Sequence, residues 1–434
     1  MAKTIAKWHR LDNSAKIYPM LVNKKNQNLF NITIALTQEV QPQILQTALE
    51  MTLERFPSFK VKLMKGVFWY YFDNNDAKPL VYPTSDVTFR KITHTNCNGY
   101  CFRICYYHNV ISADFFHAIC DGSGAHEFLK SLLYTYFNLG GNDIQSDKMV
   151  KTVGSPIDPR ELEDSFLAYY KKVKLRDVKL GSLKGKPAYR VDGILFDNAG
   201  RGIIHILLDT AKLLDICHEK KCTMTEFLSA LFVMSIFDAQ IKGRKQQTDD
   251  IQLFLPINLR RIFPSITLRN FSLFSRVAAN TSTQMDIDTI IALTHDALKH
   301  DLDPQVLLDK ISTTVKGEKL IPMRIMPLVL KKLIFRISNI FIGKNKKTAT
   351  FSNLGRMEMP ADMRQFVQHY SFGIGSNEET PLAVTASTTF DELCITFVRS
   401  ICGTEIERCF VGYLNSYGLN VRVISNFWEV ENAL

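Results

Sequence analysis

No apolar stretch of this 434-residue sequence runs the length of a bilayer without charge. The most apolar one, Leu320 to Gly343, is broken by Arg324, Lys331, Lys332 and Arg336, whereas a spanning helix needs about 20 mostly apolar residues. A transmembrane span is therefore not expected. The expectation here is a helix packed on the core with its basic residues at a solvated rim. An amphipathic helix covering a hydrophobic channel or making a peripheral membrane contact is the alternative. The start, MAKTIAKWHR, lacks the apolar centre of a secretory signal. The nine cysteines follow no framework spacing, so they read as reduced thiols, with the cytoplasm as the expected compartment.

Several functional motifs are also missing. Cys97, Cys101 and Cys105 recur at every fourth position of strand-like sequence rather than as C-x-x-C pairs, so buried thiols and no metal site are expected. Phe372 to Glu379 carries Gly373 and Gly375 without the third glycine of a dinucleotide fingerprint, and GKNKKT and LKGKP lack phosphate-loop spacing. There is no G-x-S-x-G elbow for a serine nucleophile. Charged residues make up 22% and hydrophobic ones 46%, which excludes a disordered chain. Fifty-three basic against forty-three acidic residues leave +10, which favours an anionic partner such as a phosphorylated cofactor or an acidic lipid surface. Nucleic acid is not expected, because the basic residues are dispersed and no binding motif accompanies them.

At roughly 150 residues per domain the length predicts about two or three domains. FNITIAL (Phe30 to Leu36) reads as a strand, and Pro42 opens a helix with Ile44, Leu45, Ala48, Leu49 and Leu53 on one face, ending before Pro57. FKVKLM and VFWYYF flank Lys65-Gly66 as a hairpin. YCFRICYYH and NVISADFFH form a second strand pair, followed by a helix whose apolar face holds Phe128, Leu129, Leu132, Leu133, Tyr136 and Phe137. The lysine-rich stretch 170–190 reads as a crossover linker. After it come strand GIIHILLD, a helix opened by the capping box Thr223-x-x-Glu226, and strand IQLFLPI. Next are a helix over MDIDTIIALTHDALKHDL, strand TATFSN, strand-rich AVTASTTFDELCITFVRS and a final helix near Thr404 to Leu419. Strands and helices thus recur in two lobes of α/β type, 1–169 and 191–434, without a sequence repeat.

The sharpest local signal is His117-Ala118-Ile119-Cys120-Asp121-Gly122 at a strand-to-helix junction. A histidine leaving a strand end can reach a cleft, and near neutral pH it can take a proton from an alcohol, amine or thiol attacking a carbonyl. Alone, His-x-x-x-Asp also suits a local hydrogen bond. The preceding strand, Gly122, Gly124 and the immediate helix sharpen the signal. Cys120 reads as packing. His126, His205 and His369 read as surface or hydrogen-bonded histidines.

With this motif the chain resembles the acyltransferase superfamily of chloramphenicol acetyltransferases, plant acyl-CoA-dependent acyltransferases, peptide-synthetase condensation domains and alcohol acetyltransferases. It is most similar to bacterial alcohol acetyltransferase-like proteins, through WHRLD (Trp8 to Asp12), ERFPSFKVKL (Glu54 to Leu63), GVFWYYF, PINLRRIFPSITLRNF (Pro256 to Phe271) and FSNLG (Phe351 to Gly355). The plant DFGWG motif is missing.

The resemblance implies two chloramphenicol acetyltransferase-like lobes, each a mixed β-sheet with flanking helices, with an active-site tunnel between them. It implies His117 as general base, and Asp121, beside Gly122, turned away from substrate to pair with Arg260. Ser352 and Asn353 become candidate donors to the oxyanion, with a strand-end turn as the alternative for these two residues. No tightly bound cofactor is implied; acyl-CoA is the cosubstrate and an alcohol or amine the acceptor. Alternatives are a condensation-type enzyme using phosphopantetheine-bound thioesters on a carrier protein, and a non-catalytic protein binding lipid surfaces.

Overall fold

Alternating apolar residues in the runs before His117, among them Phe30, Ile32, Ile34, Ile111, Ala113 and Phe115, bury one face of a sheet, and that sheet frames the site. The computed structural model describes residues 8–23, 27–84, 89–93, 95–172, 187–197, 200–244, 249–282, 285–338 and 347–426. In the first lobe, Leu29–Leu36 pairs antiparallel with Val110–Phe116, which pairs antiparallel with Phe102–Tyr107, and Val81–Pro83 adds a parallel edge. The predicted helix spans Pro42–Arg55 with Pro42 in its first turn, and Leu45, Ala48, Leu49 and Leu53 are buried. It packs beside the Gly122–Leu139 helix. Arg55 anchors its end through a bidentate pair with buried Glu161, at 2.8 and 2.9 Å.

The second lobe holds a seven-stranded mixed sheet. Ala349–Arg356 lies parallel to both Ile251–Asn258 and Leu382–Thr389, while the pairs Ser272–Ala279 with Ile251–Asn258 and Leu382–Thr389 with Glu392–Arg399 are antiparallel. Gly202–Asp209 and Arg422–Ser425 complete it. Its central helix, Met224–Gln240, opens with both halves of the Thr223/Glu226 capping box made, satisfying two otherwise orphaned backbone donors.

One strand crosses between the halves of the sequence. Val367–Ile374 lies far along the chain, yet pairs antiparallel with Leu29–Leu36 in the first sheet, and Met363, Tyr370 and Phe372 belong to the first core. Long-range pairing of this kind carries no local signature. Most of the expected 170–190 linker lies outside the described residues.

The hairpin forms as Val61–Lys65 and Tyr70–Asn74, joined by the loop Gly66 to Trp69, with Trp8–Arg10 paired on its other edge. Cys97, Cys101 and Cys105 are buried and free. Among the described residues no single helix is long and apolar enough to cross a membrane.

The apolar segment departs from the core-packed helix expected of it. It breaks at Met326-Pro327 into Ile321–Ile325 and Leu328–Ser338. In the second piece Lys331 is fully buried while Val329, Leu330, Leu333 and Ile334 are exposed. The helical period alone cannot say which face meets the protein, and here the hairpin supplies acceptors for the cation. Residues beyond Ser338 in this segment fall outside the described set.

Candidate active site

His117 follows the Val110–Phe116 strand, and its backbone N–H donates to the Asn28 carbonyl at 3.0 Å. Asn28 reaches that position with φ +51°, a left-handed conformation asparagine tolerates, and its side chain donates to the Tyr18 carbonyl. The imidazole is clasped by two rings: Tyr18 stacks on it at 4.4 Å and Phe30 meets it edge-on at 5.1 Å.

Its protonation pattern is set from the second lobe. Asn270 Oδ1 lies 3.0 Å from His117 Nδ1, and Asn270 Nδ2 donates to Asp12 Oδ2 at 3.3 Å. Because a carboxylate only accepts, the Asp12 contact turns the Asn270 amide so that its oxygen faces the ring. The ring then donates through Nδ1–H, and the lone pair of the neutral imidazole resides on Nε2. Nε2 has no hydrogen-bond partner on another described residue. Burial lowers the His117 pKa, against the opposing pull of a hydrogen bond to its own backbone carbonyl and of Asp121, Asn270 and Asp12. The Asp12 carboxyl, fully buried, is pushed up by desolvation, with Arg269 pulling it back.

Asp121 turns away from the imidazole. Its Oδ1 caps the Gly122–Leu139 helix by accepting from Gly124 N at 3.1 Å, while Oδ2 accepts from Arg260 Nη1 at 2.7 Å and from Phe271 N at 2.9 Å. Arg260 also holds the Thr267 carbonyl and the Asn258 side chain. Asn258 in turn donates to Ser123 Oγ at 3.0 Å. The loop after His117 is thus tied to the end of the Ile251–Asn258 strand by both side chain and backbone. Gly124 lets the two approach: a Cβ there would lie 2.9 Å from the Leu268 carbonyl carbon.

Gly122 meets the other second-lobe strand, since a Cβ on it would lie 2.8 Å from Leu354 Cδ2. Ser352 is buried two residues earlier on the same strand, whose pairing shifts register between Asn353 and Arg356. The Asn353 side chain donates to Thr225 Oγ1 at 3.1 Å and accepts from Gly355 N. The structure therefore brings His117, Asp121, Gly122 and Arg260 together, sets Leu354 against Gly122, and engages the Asn353 side chain with Thr225.

Three members of the cluster had no assigned role in the sequence. Asp12 and Asn270 sit inside WHRLD and PINLRRIFPSITLRNF, the segments that carried the resemblance, yet nothing in their spacing announces a contact across 258 positions. Tyr18 had no signal beyond an aromatic residue before Pro19. His126 is a satisfied core histidine, bound to Tyr370 Oη and the Glu358 carbonyl and held at a pKa of about 4 by burial. His205 is paired to Thr396 and His369 to Glu392.

With the geometry in view, solved structures identify the architecture. TRI101 of Fusarium sporotrichioides, solved with coenzyme A and T-2, superposes with a TM-score of 0.64 at 10% identity, covering 93% of this chain and 97% of that one. The chain has the two-lobed chloramphenicol acetyltransferase-like fold. TRI3 trichothecene 15-O-acetyltransferase from Fusarium sporotrichioides matches at 0.61 and 12% identity, over 95% of this chain and 96% of that one. A starter condensation domain of rhizomide synthetase, in complex with C8-CoA and Leu-SNAC, matches at 0.53 and 12%, over 91% and 89%. No protein-family model matches the sequence, and no curated protein does.

Proposed function

We propose that this protein is an acyltransferase in which His117 acts as general base for direct attack of an alcohol or amine on an acyl thioester, with acyl-CoA as donor. The observation that carries this reading is the His117 ring, whose Nδ1 lies 3.0 Å from Asn270 Oδ1 while Nε2 meets no hydrogen-bond partner on another described residue. The acceptor proton passes to Nε2 as the acceptor oxygen or nitrogen bonds to the thioester carbon. The tetrahedral oxyanion then collapses, expelling the thiolate, which recovers a proton from Nε2. Ser352 is the oxyanion donor in this scheme, since the Asn353 side chain is engaged by Thr225, and Asp121 with Arg260 holds the loop. Solved relatives that hold coenzyme A or C8-CoA support the choice of donor.

The test is turnover by purified protein with a panel of acyl-CoA donors and alcohol or amine acceptors, followed by free thiol and product mass. Wild-type product is expected. Its absence with every donor, together with activity on loaded carrier protein, would favour a condensation-type enzyme. That second reading draws on the likeness to a condensation domain.

The lowered His117 pKa has a definite sign in this scheme. A base whose pKa is depressed stays neutral to lower pH, so activity should be lost only as pH falls through a value below 6.5, the ordinary histidine value. A pH profile of kcat/KM whose acid limb lies above 6.5 would contradict this environment for the base.

Asn270 is a positioning residue. Asn270→Ala should lower kcat about tenfold, the equivalent of one hydrogen bond, with KM nearly unchanged, because the ring loses the partner that selects its tautomer. An equal rise in KM with constant kcat would instead make Asn270 a substrate-binding residue.

A further inference from the structure

A surface helix ordinarily buries its apolar side chains and leaves its cations in water. Leu328–Ser338 does the reverse. Lys331 is 0% exposed, donates from Nζ to the Phe68 carbonyl at 2.7 Å and lies 3.7 Å from the Trp69 ring centre. Val329 and Leu333 are 69% and 53% exposed. The neighbouring Ile321–Ile325 helix adds Ile321 and Ile325, both exposed, and the hairpin tip adds Val67, 71% exposed. Helix and tip form one surface, since Leu328 N donates to the Val67 carbonyl at 2.8 Å.

Charge indicates what covers this face. From Lys319 to Arg356 the sequence contains no acidic residue, and Lys319, Arg324 and Lys332 lie among the exposed aliphatic side chains. Exposed aliphatic residues interleaved with cations and free of acids match the interface of an anionic bilayer, where apolar side chains enter the acyl boundary and cations meet headgroups. Beside this face lies a cavity of about 940 Å³ walled by Trp8, Phe68, Trp69 and Tyr71, with Lys319 and Arg324 also lining it and one acid, Glu318, paired there to Lys16 at 2.7 Å.

We propose that the two short helices and the hairpin tip seat the protein on an anionic lipid surface, with the aromatic cavity beside the contact.

The full chain should sediment with vesicles of phosphatidylglycerol and phosphatidylcholine, weakly with phosphatidylcholine alone, and less as salt rises. The double variant Val329→Glu/Leu333→Glu should lower that binding at least about tenfold, because two apolar contacts become charges, while turnover of a water-soluble acceptor stays unchanged. Failure of wild type to bind anionic vesicles overturns the proposal. So does a concentration-dependent dimer that the double variant abolishes, which would assign the face to a second copy. Vesicle binding without any thioester turnover would sink the acyl-transfer reading and leave the docking intact.

Discussion

Replacing His117 with alanine is expected to lower kcat by about 10²- to 10⁴-fold, the usual contribution of a positioned general base. The ring sits between Tyr18 and Phe30, so removing it also leaves a gap, and His117→Gln provides a second variant that nearly preserves volume. The glutamine amide can meet Asn270 but cannot accept a proton at neutral pH. Both variants should lose turnover while thermal unfolding stays cooperative. Near-normal kcat in either folded variant would remove His117 as the base. A loss confined to alanine would make the ring a packing element.

The second large effect is on stability. Asp121→Ala leaves the Arg260 guanidinium, largely buried, without its carboxylate. Breaking a buried pair from one side costs about 3–5 kcal/mol, because the remaining charge keeps its desolvation penalty. The N–H groups of Gly124 and Phe271 lose their acceptor as well. Urea unfolding should register a loss of this size. Asp121→Asn should lose less, since its amide oxygen can still accept one of these bonds. Stability of Asp121→Ala equal to wild type would mean that the pair does not hold the loop. Full activity in a stable Asp121→Asn would assign Asp121 to structure alone.

Much of the scaffold was legible because its signals are local. Pro42 with apolar residues at three- and four-residue spacing announces a helix. Thr223-x-x-Glu226 announces a helix start, and strand-like runs flanking Lys65-Gly66 announce a hairpin. Each depends on neighbours within a few residues, where backbone geometry alone decides which side chains meet. The His117 loop was visible for the same reason: strand, histidine, aspartate, glycine and helix are consecutive.

What surrounds His117 was decided elsewhere. The Asn270 contact spans 153 positions and the Arg260 to Asp121 pair 139, distances over which sequence spacing carries no geometric information. The pair came from a resemblance, and the Asp12–Asn270 contact had no such source. Asn353 and Ser352 were equal as neighbours in FSNLG until folding engaged the Asn353 side chain with Thr225. The apolar segment carries the same lesson. Its composition identifies an amphipathic helix, but a helix does not know which of its faces will be covered. The Phe68 carbonyl and the Trp69 ring drew Lys331 inward, and that choice turned the aliphatic face to solvent. The sequence by itself thus determined most of the elements and the place of His117 at a strand-to-helix junction. The tertiary structure decided the tautomer of that histidine and the face the apolar helix shows, because both depend on groups that only folding brings within hydrogen-bonding distance.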